Sequence, residues 1–376
     1  MSDALTAHVD GFADDRLAAV VAEIEGFAAA DPDYSVQVAA FAGGRPVLDV
    51  WTGPHLGRDS LMVPYSVSKN TLGLSIALLL ERGLVDLDAP VAQYWPEFAA
   101  KDKQSVTVRQ LLSHQAGLPQ ATPALTWAEL LDAHAAADRL AASRPLWQPG
   151  SSFGYHALTI GNLGAELVFR ITGRTLQAFY EEEIRRPHAV DFYLGLPESE
   201  DARRVPVLPM VRPEIDSAPR YTSLLMPLVW SSPGPELDVA NDERSWRFGH
   251  AGASGTGSAR GLARLFAAMV TGVEGAAPVL SPDTVEIVGL QQVSGYDEVL
   301  GQPHRAHSIV FQKPTPALHF GGPRAFGHDG AAGALACVDP DTGVTFAYTI
   351  ARGPWPGGAD PRALTLAVEI GRIFGP

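Results

Sequence analysis

The stretch from Val63 to Leu80 constrains the fold of this chain more than any other. Residues 71–80 are mostly leucine, isoleucine and alanine. A helix that is apolar nearly all round has to be buried, so this segment is predicted to be a central helix with other elements packed around it. Gly83 follows at the position where a glycine commonly ends a helix. We therefore expect a fold organised around one helix that begins at Ser66.

A serine and a lysine lie one helical turn apart at the start of this segment. Residues three apart share a helix face, with Cβ atoms about 5–6 Å apart, so the amine of Lys69 can reach the hydroxyl of Ser66. The helix N-terminus directs unpaired N–H groups and a partial positive charge at that hydroxyl. Both effects favour a serine nucleophile with a lysine base. The alternative is a serine N-cap with a solvated lysine, and the spacing leaves both interpretations open.

The charge and cysteine content exclude two kinds of protein. The formal net charge is −14, from 28 basic and 42 acidic residues, and no basic run is present. Nucleic acid is therefore not expected as a partner, because no electrostatic footprint for phosphates is visible. Cys337 is the single cysteine, so an intrachain disulfide is excluded.

The first ten residues predict the location of the protein. They contain neither a basic region nor an apolar region of the kind found in secretory signals. No stretch of the chain approaches the roughly 18 uninterrupted apolar residues that a membrane span requires. The sequence thus predicts a cytoplasmic protein with no membrane partner.

Hydrophobic periodicity outlines the other elements. Alternating patterns separated by turn residues predict two β-hairpins, at residues 35–51 and 334–350. Helical spacing is found at residues 13–30, 106–114, 127–142, 158–173, 258–269 and 364–374. Residues 201–248 are rich in proline and polar residues, which predicts an irregular excursion that forms a lid or a pocket wall.

The strands are predicted at the two ends of the chain and most helices in its middle. The fold class is therefore α/β (α+β), with an antiparallel sheet flanked by helices. Residues 1–88 and 249–376 would form the sheet domain, and residues 89–248 a mainly helical domain with the excursion at about 201–248. A chain of 376 residues is long enough for both.

Three other motifs point to different chemistry and are less well supported. Residues 150–154 read G-x-S-x-G and offer Ser152 as a nucleophile, but a nucleophile elbow requires a strand before the serine, and residues 144–149 do not resemble one. Gly255 and Gly257 are followed by Arg260 where a dinucleotide site needs its third glycine. The eleven histidines include no H-E-x-x-H and no cluster with cysteine. No metal and no cofactor are therefore expected.

Two further stretches carry side chains with potential chemistry. Tyr155 follows a Pro-Gly turn just before a predicted helix, although a half-buried aromatic is the commoner fate of a tyrosine. Residues 326–333 place His328 and Asp329 among small residues at the start of a predicted strand. A glycine-rich turn with an incidental histidine is the alternative there, and the residues leave both interpretations open.

With these stretches in view, the chain resembles the serine β-lactamase and penicillin-binding-protein superfamily. It is most similar to the class C β-lactamase-like esterases (family VIII carboxylesterases) and related acyltransferases. The resemblance spans nearly the whole chain through four ordered motifs, namely Ser66-x-x-Lys69, residues 106–118, Pro149-Gly150-x-x-Phe153-x-Tyr155, and residues 326–330. Four ordered matches are more specific than any one of them. The resemblance implies the β-lactamase/transpeptidase-like fold.

The resemblance also implies a catalytic role for four residues. Ser66 would be the nucleophile that accepts the acyl group. Lys69 and Tyr155 would together act as general base and then as acid toward the leaving group. The backbone N–H groups of Ser66 and Ala331 would form the oxyanion hole.

The resemblance implies substrate contacts as well, and here the chain departs from the lactamases. His328, Asp329 and Gly330 stand where the lactamases have Lys-Thr-Gly and would contact the substrate, together with His156. A histidine is mostly neutral at pH 7 and Asp329 adds negative charge, so an anionic substrate group would be less well served. Ala157 stands where class C enzymes have an asparagine that contacts the substrate amide. These departures favour an uncharged ester over a β-lactam.

The function predicted from the sequence is therefore that of a serine hydrolase that cleaves a small-molecule carboxylic ester through an acyl-enzyme on Ser66. One alternative is an acyltransferase that passes the acyl group from an acyl donor to an alcohol or an amine. A second is a β-lactamase or D-alanyl peptidase. A third is a binding domain without catalytic activity, which the presence of Ser66, Lys69 and Tyr155 together disfavours.

Overall fold

A six-stranded antiparallel sheet takes its strands from both ends of the chain, in a computed structural model that describes residues 8–217, 221–231 and 238–375. The strands of the described residues are β1 (Asp10–Ala13), β2 (Val36–Ala42), β3 (Arg45–Thr52), β4 (Phe192–Tyr193), β5 (Thr256–Gly257), β6 (Val293–Gly295), β7 (Arg305–His307), β8 (Phe326–Asp329), β9 (Ala332–Gly333), β10 (Leu335–Asp339), β11 (Val344–Ile350) and β12 (Gly358–Ala359). The order in the main sheet is β1-β3-β2-β11-β10-β8. Short pairs of strands lie outside it.

Helices cover the sheet and fill the middle of the chain. They are α1 (Ala18–Ala30), α2 (Lys69–Glu81), α3 (Val91–Tyr94), α4 (Val108–Leu112), α5 (Trp127–Leu130), α6 (Ala135–Ala142), α7 (Thr159–Thr172), α8 (Leu176–Tyr180), α9 (Met226–Val229), α10 (Glu243–Phe248), α11 (Ala259–Phe266), α12 (Pro282–Gly289) and α13 (Pro361–Phe374). Among the described residues, no helix combines the length and the apolar character needed to cross a membrane.

The sheet is buried on both faces, which explains the composition of its inner strands. Along β2, Val36, Val38 and Ala40 pack in one cluster with residues of α1 and α13. The alternate residues Ala39 and Phe41 pack in a second cluster with α2 and α11. Because successive side chains of a strand point to opposite faces, every position of β2 has to be small or apolar, except one buried glutamine, to suit both layers.

The central helix α2 is buried over nearly its whole length, as its sequence predicts. All residues from Lys69 to Leu79 are buried. The helix packs so closely that a Cβ atom at Gly73 would lie 2.4 Å from the ring of Phe311. Gly83 ends the helix with a φ of +65°, a conformation that favours glycine. This rigid helix sets the position of the residues that precede it.

Other predicted elements are confirmed with two corrections. Both hairpins form, as β2–β3 and β10–β11. The helix predicted at residues 127–142 is interrupted, because the Asp132 carboxylate accepts hydrogen bonds from the N–H groups of His134 and Ala135 and starts a second helix there. The edge strand β1 has no signal in the sequence and forms by pairing with β3.

The excursion predicted at residues 201–248 is irregular apart from α9, α10 and the end of a 3-10 turn at Glu198–Arg203. Residues 218–220 and 232–237 of this segment lie outside the described residues. The fold class is thus α/β (α+β), with an antiparallel sheet flanked by helices, and the division into two domains remains a prediction.

Candidate active site

Ser66 lies in a tight turn immediately before α2. The α-helix begins at Lys69, three residues later than the sequence predicts, and a 3-10 turn spans Tyr65–Ser68. Tyr65 has a φ of +49°, which is rare for a residue with a side chain and marks local strain. The hydroxyl of Ser68 holds the turn by donating to the Tyr65 carbonyl at 2.6 Å. Ser66 remains half-buried, so its hydroxyl is accessible to a small molecule.

Lys69 is completely buried, and its amine has three polar neighbours. The Nζ atom lies 3.0 Å from Ser66 Oγ, 2.7 Å from the Ala157 carbonyl and 2.5 Å from the Gly252 carbonyl. The two carbonyls accept hydrogen bonds from two N–H groups, because a carbonyl oxygen cannot donate. The third direction, toward Ser66, is therefore free to carry a lone pair when the amine is neutral.

The protonation of Lys69 suits that arrangement. Burial lowers the pKa of this amine to about 7, and the negative charge of Asp329 opposes part of the decrease. A lysine with such a pKa is neutral in a large fraction of molecules at pH 7. The Ser66 hydroxyl can then donate its proton to Nζ, which is the arrangement of a nucleophile with its base.

Tyr155 contacts the other side of the same hydroxyl. Its phenolic oxygen lies 2.8 Å from Ser66 Oγ, whereas Lys69 Nζ lies 4.9 Å from the centre of the phenol ring. Burial raises the pKa of Tyr155, and its hydrogen bond to Ser66 opposes the change, so the phenol keeps its proton at neutral pH. A consistent chain of donors results, from the Tyr155 hydroxyl to Ser66 Oγ and from the Ser66 hydroxyl to Lys69.

The backbone of Tyr155 is held by a carboxylate that the sequence does not reveal. Both oxygens of Asp297 accept from the Tyr155 N–H at 3.1 Å. The same carboxylate accepts from the N–H groups of Val299 and Leu300. Asp297 is fully buried. Through these hydrogen bonds it connects the loop after β6 to the backbone of Tyr155. A lone aspartate in a loop has no pattern that sequence analysis could use.

Buried imidazoles surround the Tyr155 ring. The ring centres of His114, His307 and His328 lie 5.2, 6.1 and 5.9 Å from that of Tyr155. All three are inaccessible to solvent, and burial lowers the pKa of each well below its usual value. Neutral rings exclude water from the phenol without adding charge, which contributes to the environment that keeps it protonated.

His156 does not lie where the sequence interpretation expects it. Its Nε2 atom accepts from the Leu118 N–H at 2.8 Å, and its Nδ1 atom contacts the Gly154 carbonyl at 2.6 Å. Burial lowers its pKa to about 4. Since both ring nitrogens are occupied by backbone groups and the ring is inaccessible, the expected substrate contact is corrected. His156 fixes the loop that carries Tyr155.

His328 and Asp329 lie at the end of β8, beside the nucleophile. His328 Nδ1 donates to the Asp329 carbonyl at 2.7 Å, which leaves Nε2 as a buried acceptor without a partner among the described residues. The Asp329 carboxylate accepts from the Ala359 N–H at 3.1 Å, and its own N–H donates to the side chain of Gln312 at 3.0 Å. Asp329 thus joins β8 to β12, and Gln312 is a contributor that the sequence does not indicate.

Gly330 allows the end of β8 to approach the nucleophile turn. A Cβ atom at this position would lie 2.1 Å from the Pro64 carbonyl oxygen, so any side chain would separate the two segments. Gly330 itself is held by a hydrogen bond from its N–H to the Ala334 carbonyl at 2.8 Å. The next residue, Ala331, is exposed. Neither its N–H nor that of Ser66 has an acceptor among the described residues, so both can receive one from a substrate.

A second network, also missed from the sequence, holds one of the carbonyls that contact Lys69. His250 Nδ1 accepts from the Gly252 N–H at 3.0 Å, and its Nε2 donates to Asn162 Oδ1 at 2.9 Å. Burial lowers the pKa of His250 to about 3, so it is neutral. Gly161 provides the space for this turn, because its Cβ would lie 2.6 Å from Gly252 N. Three distant segments thereby aim one carbonyl at the lysine.

The competing nucleophile, Ser152, lies in a different environment from Ser66. Its hydroxyl donates to the Glu298 carboxylate at 2.8 Å, and no strand leads directly into it, as a nucleophile elbow requires. The excursion approaches this region, because Val229 and Trp230 lie with Ala157, whose carbonyl contacts Lys69, around a small cavity. Its expected role as a lid or pocket wall remains a prediction.

Comparison with known proteins now places this site in a family. The family model described as Beta-lactamase matches residues 24–369. The chain belongs to the β-lactamase family. Esterase/beta-lactamase LipL of Mycobacterium tuberculosis is 31% identical over 360 residues, which covers 85% of this chain and 82% of LipL. Family membership together with esterase relatives makes this protein an enzyme of the serine hydrolase type.

Two solved structures are similar to this chain over nearly its whole length. EstA from Arthrobacter nitroguajacolicus Rue61a has a TM-score of 0.91 and 40% identity, covering 98% of each chain. A family VIII carboxylesterase has a TM-score of 0.87 and 30% identity, covering 96% of this chain and 98% of that structure. The resemblance noted in the sequence is confirmed at the level of family and fold.

Proposed function

We propose that this β-lactamase-family protein hydrolyses carboxylic esters through an acyl-enzyme formed on Ser66. The observation that supports the proposal most directly is that one half-buried hydroxyl lies 3.0 Å from a buried amine and 2.8 Å from a buried phenol. Nucleophile and base within hydrogen-bonding distance are the signature of activated serine catalysis.

In the proposed acylation step, Ser66 Oγ attacks the ester carbonyl and its proton moves to Lys69 Nζ. The carbonyl oxygen becomes an oxyanion that accepts hydrogen bonds from the N–H groups of Ser66 and Ala331. When the bond to the alcohol oxygen breaks, Tyr155 donates a proton to that oxygen, and Lys69 returns a proton to the phenol. The products of this step are the free alcohol and an ester of Ser66.

In the proposed deacylation step, water attacks the Ser66 ester with the same groups in the reverse proton roles. The carboxylic acid is released and the hydroxyl of Ser66 is restored. Every proton is transferred among Ser66, Lys69, Tyr155 and water, so the cycle requires no cofactor.

An ester is favoured over a β-lactam by the residue two positions after Tyr155. An alanine stands there, and its methyl group cannot donate a hydrogen bond to a substrate amide. LipL is named as an esterase/beta-lactamase and the second solved structure as a family VIII carboxylesterase, and ester hydrolysis is proposed for the present chain by similarity to them.

The proposal is tested by intact-mass spectrometry after brief exposure to p-nitrophenyl esters. The wild-type protein is expected to gain the mass of one acyl group, and Ser66→Ala is expected to gain none. Ser152→Ala is the matched control, because it removes the serine of the competing motif and should acylate like the wild type. An acyl adduct on Ser66→Ala, or its loss in Ser152→Ala, would remove Ser66 from the proposed role.

A further inference from the structure

One arginine beside the catalytic tyrosine lacks the partners that other arginines of this protein have. Arg305 is half-buried, and its Nε atom is buried without an acceptor. Across the described residues its guanidinium forms no hydrogen bond and no ion pair. By contrast, Arg109 pairs with Asp88 at 2.7 Å and Arg203 pairs with Asp191 at 2.6 Å. A half-buried guanidinium without a partner is costly, because the loss of hydration is not compensated.

The strand that carries Arg305 directs it toward the site. Side chains two residues apart on a strand share a face, and His307, two residues along β7, stacks on the Tyr155 ring with an angle of 19° between their planes. Burial raises the pKa of Tyr155, and the positive charge of Arg305 opposes part of that rise. Arg305 also acts electrostatically on His307 and His328. The guanidinium therefore lies near the phenol.

Two carboxylates of this region are already engaged by backbone N–H groups. Asp297 accepts from the backbone N–H groups of Tyr155, Val299 and Leu300. Asp329 accepts from the Ala359 N–H. Neither forms an ion pair with Arg305 within the described part of the chain. The charge of Arg305 acts electrostatically on Asp297 and opposes part of the rise that burial causes in its pKa. The guanidinium N–H groups nevertheless remain available to a molecule that enters the site.

We propose that Arg305 binds a carboxylate carried by the alcohol portion of the ester substrate. A guanidinium matches a carboxylate with two parallel N–H···O bonds, which gives both strength and orientation. The alcohol portion is chosen because its oxygen has to receive a proton at Tyr155, and Arg305 lies on the tyrosine side of Ser66. This inference rests on the proposed ester hydrolysis, and it reverses the expectation of an uncharged substrate that was based on His328 and Asp329.

The experiment compares two acetate esters, p-acetoxybenzoate, which carries a free carboxylate on its alcohol portion, and its methyl ester, in which that carboxylate is methylated. Values of kcat and KM for each are measured on the wild type, Arg305→Met and Arg305→Lys. Arg305→Met should lower kcat/KM for p-acetoxybenzoate by about tenfold or more, mostly through KM, because a hydrogen bond to a charged group is lost. Its kcat/KM for the methyl ester should stay within about twofold. The kcat/KM of Arg305→Lys for p-acetoxybenzoate should lie between the values of the wild type and Arg305→Met.

Arg45→Met is the matched control for the loss of one positive charge. Arg45 is exposed. It lies at the edge of the sheet where β10 ends at Asp339, as the register of the strands between them shows. The site residue Asp329 lies opposite Leu335, at the other end of β10. It should leave both esters unaffected. Activity on the methyl ester also shows that each variant is folded.

Three results would overturn the inference. Equal losses on both esters would mean that Arg305 acts on Tyr155 rather than on the substrate. No loss on either ester would mean that the guanidinium does not reach the substrate. A loss confined to p-nitrophenyl hydrogen glutarate, compared with p-nitrophenyl butyrate, would place the anion on the acyl side instead. Failure of the proposed ester hydrolysis is distinguishable, because the wild type would then hydrolyse neither ester, or Ser66→Ala would retain activity on the methyl ester.

Discussion

Two lysines of this protein are buried to the same extent but differ in the polar groups that surround their amines. Lys69 and Lys103 are both inaccessible to solvent, and burial lowers the pKa of the first to about 7 and of the second to about 8. Lys103 donates to three backbone carbonyls, those of Ala100, Ala141 and Ser143, at 2.6–2.8 Å. Lys69 has two carbonyls and, as its third neighbour, the hydroxyl of Ser66.

The third neighbour of the amine separates a structural lysine from one that can act as a base. An ammonium group has three N–H donors, and Lys103 uses all three on groups that can only accept. Its deprotonation would leave a buried carbonyl unpaired, which is unfavourable. Lys69 can lose a proton without that cost, because a hydroxyl can reverse its role and become the donor. Burial therefore tunes both amines, and the third neighbour decides which of them can act as a base.

The largest expected effect tests this comparison directly. Lys69→Met should lower kcat/KM for a p-nitrophenyl ester by about 10²–10⁴-fold, the range that a general base contributes, with a small change in Tm. Lys103→Met should keep kcat/KM close to the wild-type value and lower the free energy of unfolding by about 2–4 kcal/mol, because three carbonyls lose their donor. Ester kinetics and denaturant titration on both variants provide the measurement. If the two variants lost activity to the same extent, the distinction between the lysines would be wrong.

A second prediction concerns the proposed oxyanion donor, the N–H group of Ala331. Gly330→Ala should push the end of β8 away from Pro64, displace the Ala331 N–H from Ser66, and reduce kcat by about 10²–10³-fold, the typical effect of losing one oxyanion donor. The measurement is kcat on the same ester, with circular dichroism to verify folding.

Gly26→Ala is the control for the Gly330 substitution. Gly26 lies within α1, and a Cβ atom there would meet nothing within 4 Å. This variant should keep full activity and gain roughly 0.5–1 kcal/mol of stability from helix propensity. A Gly330→Ala enzyme with wild-type kcat would show that Ala331 does not bind the oxyanion.

The third prediction concerns the pH dependence of kcat/KM, which should reflect Lys69 and not Lys103. Because the pKa of Lys69 is lowered to about 7, the neutral amine predominates above that pH, and kcat/KM should rise with pH and level off beyond it. Below pH 7 the rate should fall about tenfold per pH unit, as for one essential base. Lys103→Met should show the same profile, since its amine is not part of the chemistry. A rate independent of pH from about pH 5 to about pH 9 would contradict a lysine base.

The smallest expected effect lies in the network behind the Gly252 carbonyl. Asn162→Ala removes the acceptor of His250 Nε2 and should loosen the turn, lowering kcat by roughly three- to tenfold, the equivalent of about one hydrogen bond. Asn241→Ala is the matched control, because that side chain exchanges two hydrogen bonds with the backbone of Val207 in the excursion. It should leave kcat unchanged. Equal kcat values for the two variants would argue against a positioning role for Asn162.

Much of this site could be predicted because its signals are local. The spacing of Ser66 and Lys69 on one helix start needs no distant contact, and the apolar character of residues 71–80 requires burial. The pairing of Ser66 with Tyr155 came through the resemblance to a family, and the distance between their oxygens agrees with that expectation. The substrate contact expected of His156 is wrong, because the pattern around it says nothing about which backbone groups its ring nitrogens meet.

The sequence by itself determined the buried central helix, the two hairpins and the order of the motifs, since hydrophobic periodicity and turn residues act over a few positions. The tertiary structure decided which carbonyls face Lys69, that Asp297 holds Tyr155, and that the Nε atom of Arg305 is buried without an acceptor among the described residues. Those features depend on the packing of segments that lie from 88 to 183 residues apart in the chain. Such contacts, and the desolvation that lowers the pKa of Lys69, exist only once the chain has folded.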